Sequence, residues 1–202
     1  MLLSKILRIL SSFFLLFPQR ALLRQGLLWL TDESMQTVFP SEIPPQLFTP
    51  LTEGDFDCCR FRLADRPDLQ QLYATFYSHL PYSEFRTFCD HLLKTQSAGR
   101  GYWLVVEADS GLIGNGQLII FPSGAELANL QVIPKQQGRG IGAAIVSVLT
   151  AIASHIGLDS LEIGVASGNS RALALYQRLG FEEDRKLRLK TGQPALILRR
   201  VL

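Results

Sequence analysis

The 202-residue chain is poor in the residues that most often announce a site: three cysteines, three histidines, two methionines and two tryptophans. Cys58, Cys59 and Cys89 have neither metal-ligand spacing nor an even count. A structural metal and a disulfide-stapled scaffold are thereby excluded, and a reducing, cytoplasmic setting is expected. Basic runs interleaved with aromatics are missing, and a net charge of +2 with a pI near 8.5 leaves no footprint for nucleic acid. Ordinary glycine and proline contents exclude collagen-like and low-complexity chains. Acids are missing from the first thirty residues, where Lys5, Arg8, Arg20 and Arg24 are the only charges before Asp32.

What is present is apolar surface, with a mean hydropathy of +0.16. Much of the excess sits in Met1 to Leu30. Leu3, Ile6, Leu7, Leu10, Phe13, Phe14 and Phe17 recur at three- and four-residue spacing, which predicts an amphipathic helix with Lys5 and Arg8 on the other face. Its uncharged run stops at Pro18, short of the roughly 20 residues a bilayer span needs. Three readings stand: a helix lying on a membrane surface or a partner, a helix packed on the domain, and a removable targeting segment without a small-x-small cleavage pattern. Residues 31–54, with Pro40, Pro44, Pro45 and Pro50, read as a linker without regular structure.

The compact domain is expected over residues 55–202. Its pattern is a strand from Cys58 to Leu63, a helix starting after Asp65, and a second helix from Ser83 to Lys94. Three apolar, β-branched runs follow, Tyr102 to Glu107, Leu112 to Phe121 and Ala125 to Ile133. Then come a glycine-rich loop, a helix to about Ile156, a strand Leu161 to Val165, a helix Asn169 to Leu179, and a hairpin around Gly192. An antiparallel meander that continues as strand, helix, strand, helix defines a mixed α/β domain.

The loop Gln137-Gly138-Arg139-Gly140-Ile141-Gly142 leads into a helix whose first N–H groups are free to meet an anion, and its glycines let backbone approach closely. A phosphate or pyrophosphate is the natural guest. A P-loop requires Lys and then Ser or Thr after the glycines, but Ala143 and Ala144 stand there. Gly138, Gly140 and Ala143 fit a dinucleotide spacing, with Glu162 about 20 residues on, yet Pro134, Lys135 and Gln136 separate the loop from its strand and three strands precede it.

The stretch Ala125 to Gly142, then Asn169, then Leu175-Tyr176-Gln177-Arg178-Leu179-Gly180-Phe181 resembles the GNAT superfamily of acyl-CoA-dependent N-acetyltransferases. Its signature of Gln or Arg, two residues, Gly, one residue, then Gly or Ala is met by Gln137, Gly140 and Gly142. The resemblance spans residues 55–202 and implies a central mixed, mostly antiparallel sheet of six to seven strands flanked by about four helices. It implies acetyl-CoA as cosubstrate and no metal. The cosubstrate would lie in a V-shaped opening between the third run and the strand Leu161 to Val165. The backbone of Leu130, Gln131 and Val132 would pair with the pantetheine arm. Gln137, Gly138, Arg139, Gly140, Ile141, Gly142 and Ala143 would hold the pyrophosphate, and Asn169 would contact the cofactor while capping its helix.

An amine that attacks a thioester needs to lose its proton, and the departing thiolate gains from one. By the resemblance Tyr176 is the acid at sulfur; by periodicity alone it shares a face with Ala172, Leu173 and Leu179 and could be core. Glu126 is the candidate base, eleven residues before Gln137 as in the histone-acetyltransferase branch of the family. A solvent-facing strand-end glutamate is the other reading of it. Tyr77, Tyr82, Phe85 and Arg86 suggest an aromatic-lined entrance for the amine acceptor, with a small molecule, a protein N-terminus and a lysine all open. A non-catalytic acyl-CoA-binding module recruited by its N-terminal segment is the alternative function.

Overall fold

A computed structural model describes residues 43–50, 56, 59–122, 124–188 and 192–202. The expected amphipathic helix, most of the expected linker and Cys58 lie outside the described residues.

Seven strands form one sheet in the order β1-β2-β3-β4-β5-β7-β6. The strands are β1 (Arg60–Leu63), β2 (Gly101–Ala108), β3 (Gly111–Phe121), β4 (Gly124–Val132), β5 (Ser160–Ala166), β6 (Glu182–Arg188) and β7 (Pro194–Val201). Four helices flank it: α1 (Leu69–Leu72, widened into a π turn over Tyr73–Tyr77), α2 (Tyr82–Ser97), α3 (Ile141–His155) and α4 (Ser170–Arg178). Every neighbouring pair is antiparallel except β4 and β5, which α3 joins as a parallel crossover. That parallel ladder holds for two pairs only, Glu126 with Glu162 and Leu127 with Ile163. Beyond Leu127 the parallel ladder between the two strands ends, at the place where the resemblance implies an opening.

Burial follows strand alternation. Leu118, Ile120, Ala125, Leu127, Leu161 and Ile163 point to the face covered by α3, which is apolar on nearly every side and supplies Ala144, Ile145, Val148, Leu149 and Ile152 to the core. Trp103 and Val105 point to the other face, packed against Leu72, Tyr77, Phe85 and Phe88 of α1 and α2. Gly116 faces α3, where a Cβ would stand 2.5 Å from Leu130 and 2.6 Å from Ile145. A larger residue there would have to push those side chains aside.

The π turn explains one departure from expectation. Helical spacing places Phe76 in line with Leu72, but a turn five residues wide puts Tyr77 there instead. Tyr77 is 1% exposed and donates its hydroxyl proton to Asn115 Oδ1 at 2.9 Å, while Phe76 is half-buried. Tyr77 and Phe85 are therefore core residues, and of the expected aromatic entrance Tyr82 is the ring left exposed. A second departure concerns the linker. Pro45–Phe48 form a 3-10 turn, Ile43 is buried, and Leu47 and Phe48 pack on the same core as α3. The folded unit thus begins before Asp55, because these side chains cover apolar surface that water would otherwise meet.

Candidate active site

The opening between β4 and β5 continues into a cavity of about 530 Å³. Leu130, Gln131 and Val132 form its strand wall. Gln137, Gly138 and Gly140 form its floor, and Gly142 and Ala143 the start of α3. Asn169 and Tyr176 close it from the side of α4. Two expected cofactor residues are not part of the lining. Arg139 turns back to donate to Gln136 Oε1 at 2.8 Å, and Ile141 is buried beneath the sheet.

Gly140 precedes α3 at φ 86°, a left-handed conformation that strains any residue with a Cβ. Among the described residues no side chain caps α3, so its first backbone donors stay available at the cavity floor. Gln137 is fixed at both ends: its amide donates to Val132 O at 3.0 Å and its oxygen accepts from Arg171 Nη1 at 3.2 Å. Arg171 and Arg178 line the cavity and no carboxylate does. An uncapped helix start beside two guanidiniums fits the phosphates of a nucleotide cosubstrate. Sequence reasoning missed Arg171 and Arg178, though with Leu175 they form a helical stripe beside Tyr176. Asn169 does cap α4, accepting from Ala172 N at 3.1 Å.

Tyr176 has both of the properties that the sequence left open. It is 9% exposed, its ring lies 6.2 Å from that of Phe181, and it reaches the cavity wall. Burial pushes its phenol up to about 12, so it carries a proton at neutral pH.

Glu126 is not a solvent-facing strand-end residue. It is 7% exposed, and Oε1 is buried with no hydrogen-bond partner among the described residues. It alternates with Ala125 and Leu127, so it occupies the sheet face away from α3, beside Glu162 in the parallel ladder. Burial pushes its carboxyl up to about 8; Glu162 adds to the rise and Arg185 opposes it. Glu162, weighed earlier as a ribose ligand, is clamped instead by Arg185 through two bonds of 2.9 and 2.6 Å. The same face carries amides that the sequence reading passed over. Asn115 accepts from Tyr77 and Trp103 and donates to Gln131 Oε1 at 3.1 Å, tying the α1 side of the sheet to the cavity wall. Asn129, at φ 51° in a bulge of β4, donates to Gln117 Oε1 at 2.8 Å. Among the described residues no group of three or more His, Cys, Asp or Glu could hold a metal ion.

A seven-stranded sheet whose central strands part over an uncapped, glycine-led helix, with a buried carboxyl on the far face of the same strand, defines an acyl-CoA-type transferase fold. The chain belongs to the acetyltransferase (GNAT) family, whose family model matches residues 66–181. It shares 34% identity over 80 residues with the mycothiol acetyltransferase of Clavibacter michiganensis subsp. michiganensis, which is 40% of this chain and 26% of that protein. It shares 39% over 59 residues with an uncharacterized N-acetyltransferase of Methanocaldococcus jannaschii, 29% of this chain and 26% of that one. The chain therefore spans about a quarter of the length of these curated relatives. The ribosomal-protein-alanine N-acetyltransferase from Brucella melitensis superposes with a TM-score of 0.61 at 21% identity, over 70% of this chain and 99% of that one. The spermidine N-acetyltransferase from Vibrio cholerae in complex with CoA and spermine gives 0.59 at 22%, over 71% and 95%. At such identity these two establish the fold.

Proposed function

We propose that the protein is an acetyl-CoA-dependent N-acetyltransferase that moves the acetyl group to a primary amine by direct attack in a ternary complex. The observation that carries the reading is the cavity, which joins an uncapped helix start and two arginines to the strand wall Leu130–Val132. The start of α3, Gln137, Arg171 and Arg178 hold the phosphates, and the open edge of β4 offers backbone groups to the amide-containing arm. The amine nitrogen bonds to the thioester carbonyl carbon and the carbon–sulfur bond breaks. The ammonium proton passes to Glu126, and the thiolate takes a proton from the Tyr176 hydroxyl. A carboxyl held near 8 by burial is basic enough to take such a proton and acidic enough to be ionised part of the time at neutral pH.

The purified full chain, given acetyl-CoA and a panel of amines, is expected to release free thiol, and acetyl-CoA is expected to raise the melting temperature. Tyr176→Phe should lower kcat by roughly tenfold to a hundredfold with little change in acetyl-CoA affinity. Thermal protection without thiol release on any amine would instead favour a binding module. Cytoplasmic location and attachment of residues 1–30 to a membrane surface are part of the proposal. Flotation on anionic vesicles of the full chain, against a chain lacking residues 1–42, tests that attachment; cutting at Asp55 would strip Ile43, Leu47 and Phe48 from the core. Among the described residues no helix is long and apolar enough to cross a membrane.

A further inference from the structure

Two buried polar atoms on the sheet face away from α3 have no hydrogen-bond partner among the described residues, and they complement each other: Gln117 Nε2, a donor, and Glu126 Oε1, an acceptor. The residues are 1% and 7% exposed. Both belong to the same face, because Leu118, Ile120, Ala125 and Leu127 take the other. Gln117 pairs with Ala128 and Ile119 with Glu126, so Gln117 and Glu126 are diagonal neighbours across the β3–β4 ladder. Their Cβ atoms then stand on the order of 7 Å apart, which makes the two side chains neighbours on that face. The oxygen of the Gln117 amide accepts from Asn129 Nδ2 at 2.8 Å. That bond leaves the NH₂ end as the free one.

We propose that Gln117 and Glu126 form the acceptor subsite, and that it selects an α-amino amide: Glu126 takes the N–H of the amine while Gln117 donates to the adjacent neutral carbonyl. The inference rests on the reading above, that Glu126 meets the acceptor amine. Three features select this chemistry. An alkylamine or polyamine has no oxygen beside its nitrogen and would leave Gln117 Nε2 buried and unpaired, which disfavours it by about tenfold to a hundredfold. A free amino acid has the oxygen, but as a carboxylate it would approach Glu126 with Glu162 next to it in the ladder. The guanidinium that could offset that repulsion, Arg185, is already engaged by Glu162 and Asp184. A neutral carbonyl one carbon from the amine satisfies both orphaned atoms without adding charge. A peptide N-terminus and a small aminoacyl amide share that chemistry.

The experiment compares alaninamide, alanine, sec-butylamine and a tripeptide beginning with alanine as acceptors for the full chain, by thiol release. Calorimetric binding of each with CoA present gives a readout apart from turnover. Alaninamide or the tripeptide is expected to exceed both alanine and sec-butylamine by tenfold or more in kcat/KM and in affinity. Which of the two is better separates the small-molecule source from the peptide source. Gln117→Met, which keeps the length and removes the donor, is expected to cut the alaninamide-to-sec-butylamine ratio by tenfold or more. An unchanged ratio, or a wild-type preference for sec-butylamine or alanine, overturns the inference and leaves the transferase reading standing. No thiol release with any amine while acetyl-CoA still binds removes both. If Gln117→Met fails to fold, the wild-type selectivity and affinities decide alone.

Discussion

The two sides of strand β4 differ in how they meet a ligand. On the cavity side the surface is backbone and cation: glycines, the uncapped start of α3, Arg171 and Arg178. On the opposite side it is a buried lattice of side-chain amides and one carboxyl, with Gln117, Asn129, Asn115 and Glu126 placed by strand register. The first suits a charge distribution common to any pyrophosphate and tolerates exposure. The second works only because water is kept from Glu126, which makes it sensitive to single atoms. In the proposed reading, cosubstrate binding is thereby a property of a loop, and acceptor chemistry a property of the whole sheet.

The sharpest way to break this division is Glu126→Gln. It should lower kcat/KM by on the order of a hundredfold or more while the acetyl-CoA dissociation constant stays within about twofold. In the wild type kcat/KM should rise through a pH near 8 as Glu126 ionises, and the variant should lose that limb. Stability supplies an independent check. The fold keeps Glu126 protonated to about 8, whereas an ordinary glutamate ionises near 4.5, so stability falls as pH rises through that window. Glu126→Gln should therefore melt higher than wild type at pH 9 and not at pH 4.

Next in size, Gly140→Val should weaken acetyl-CoA binding by roughly a hundredfold, since φ 86° strains any side chain and the loop must lie close to the phosphates. Its effect on acceptor selectivity should be nil, measured by the alaninamide-to-alkylamine ratio. Arg171→Ala should weaken acetyl-CoA by about tenfold, less in high salt, because an exposed guanidinium is screened. The smallest effect expected is from Arg185→Met. Releasing Glu162 beside Glu126 should move the limb near 8 further up without altering cosubstrate affinity, as a pH profile and a titration would show.

The two sides also differed in legibility. The glycine-led start of α3 could be read because its signals are local: glycine spacing, a helix start and an apolar helix all lie within a few residues. Gln117 was visible as an amide in an otherwise apolar run, yet its meaning depends on Ala128 and Glu126 across a ladder that the sequence does not state. Glu126 could be picked out, but its burial depended on β5 docking beside it. Arg171 and Arg178 were overlooked since their stripe on α4 acquires a role only when α4 closes the cavity. Tyr77, expected at an entrance beside the first two helices, is carried into the core by the π turn.

Short-range order, then, came from the sequence alone: element types, the αL glycine before α3, the cap at Asn169 and the order of strands and helices, because each depends on neighbours within a turn or two of chain. Tertiary structure decided what the charged and amide side chains do. Solvation, the proton affinity of Glu126 and the pairing of Gln117 are set by groups 9 to 59 residues away, from Gln117 to Glu126 and from Glu126 to Arg185. Burial is a property of the packed sheet and of no segment within it.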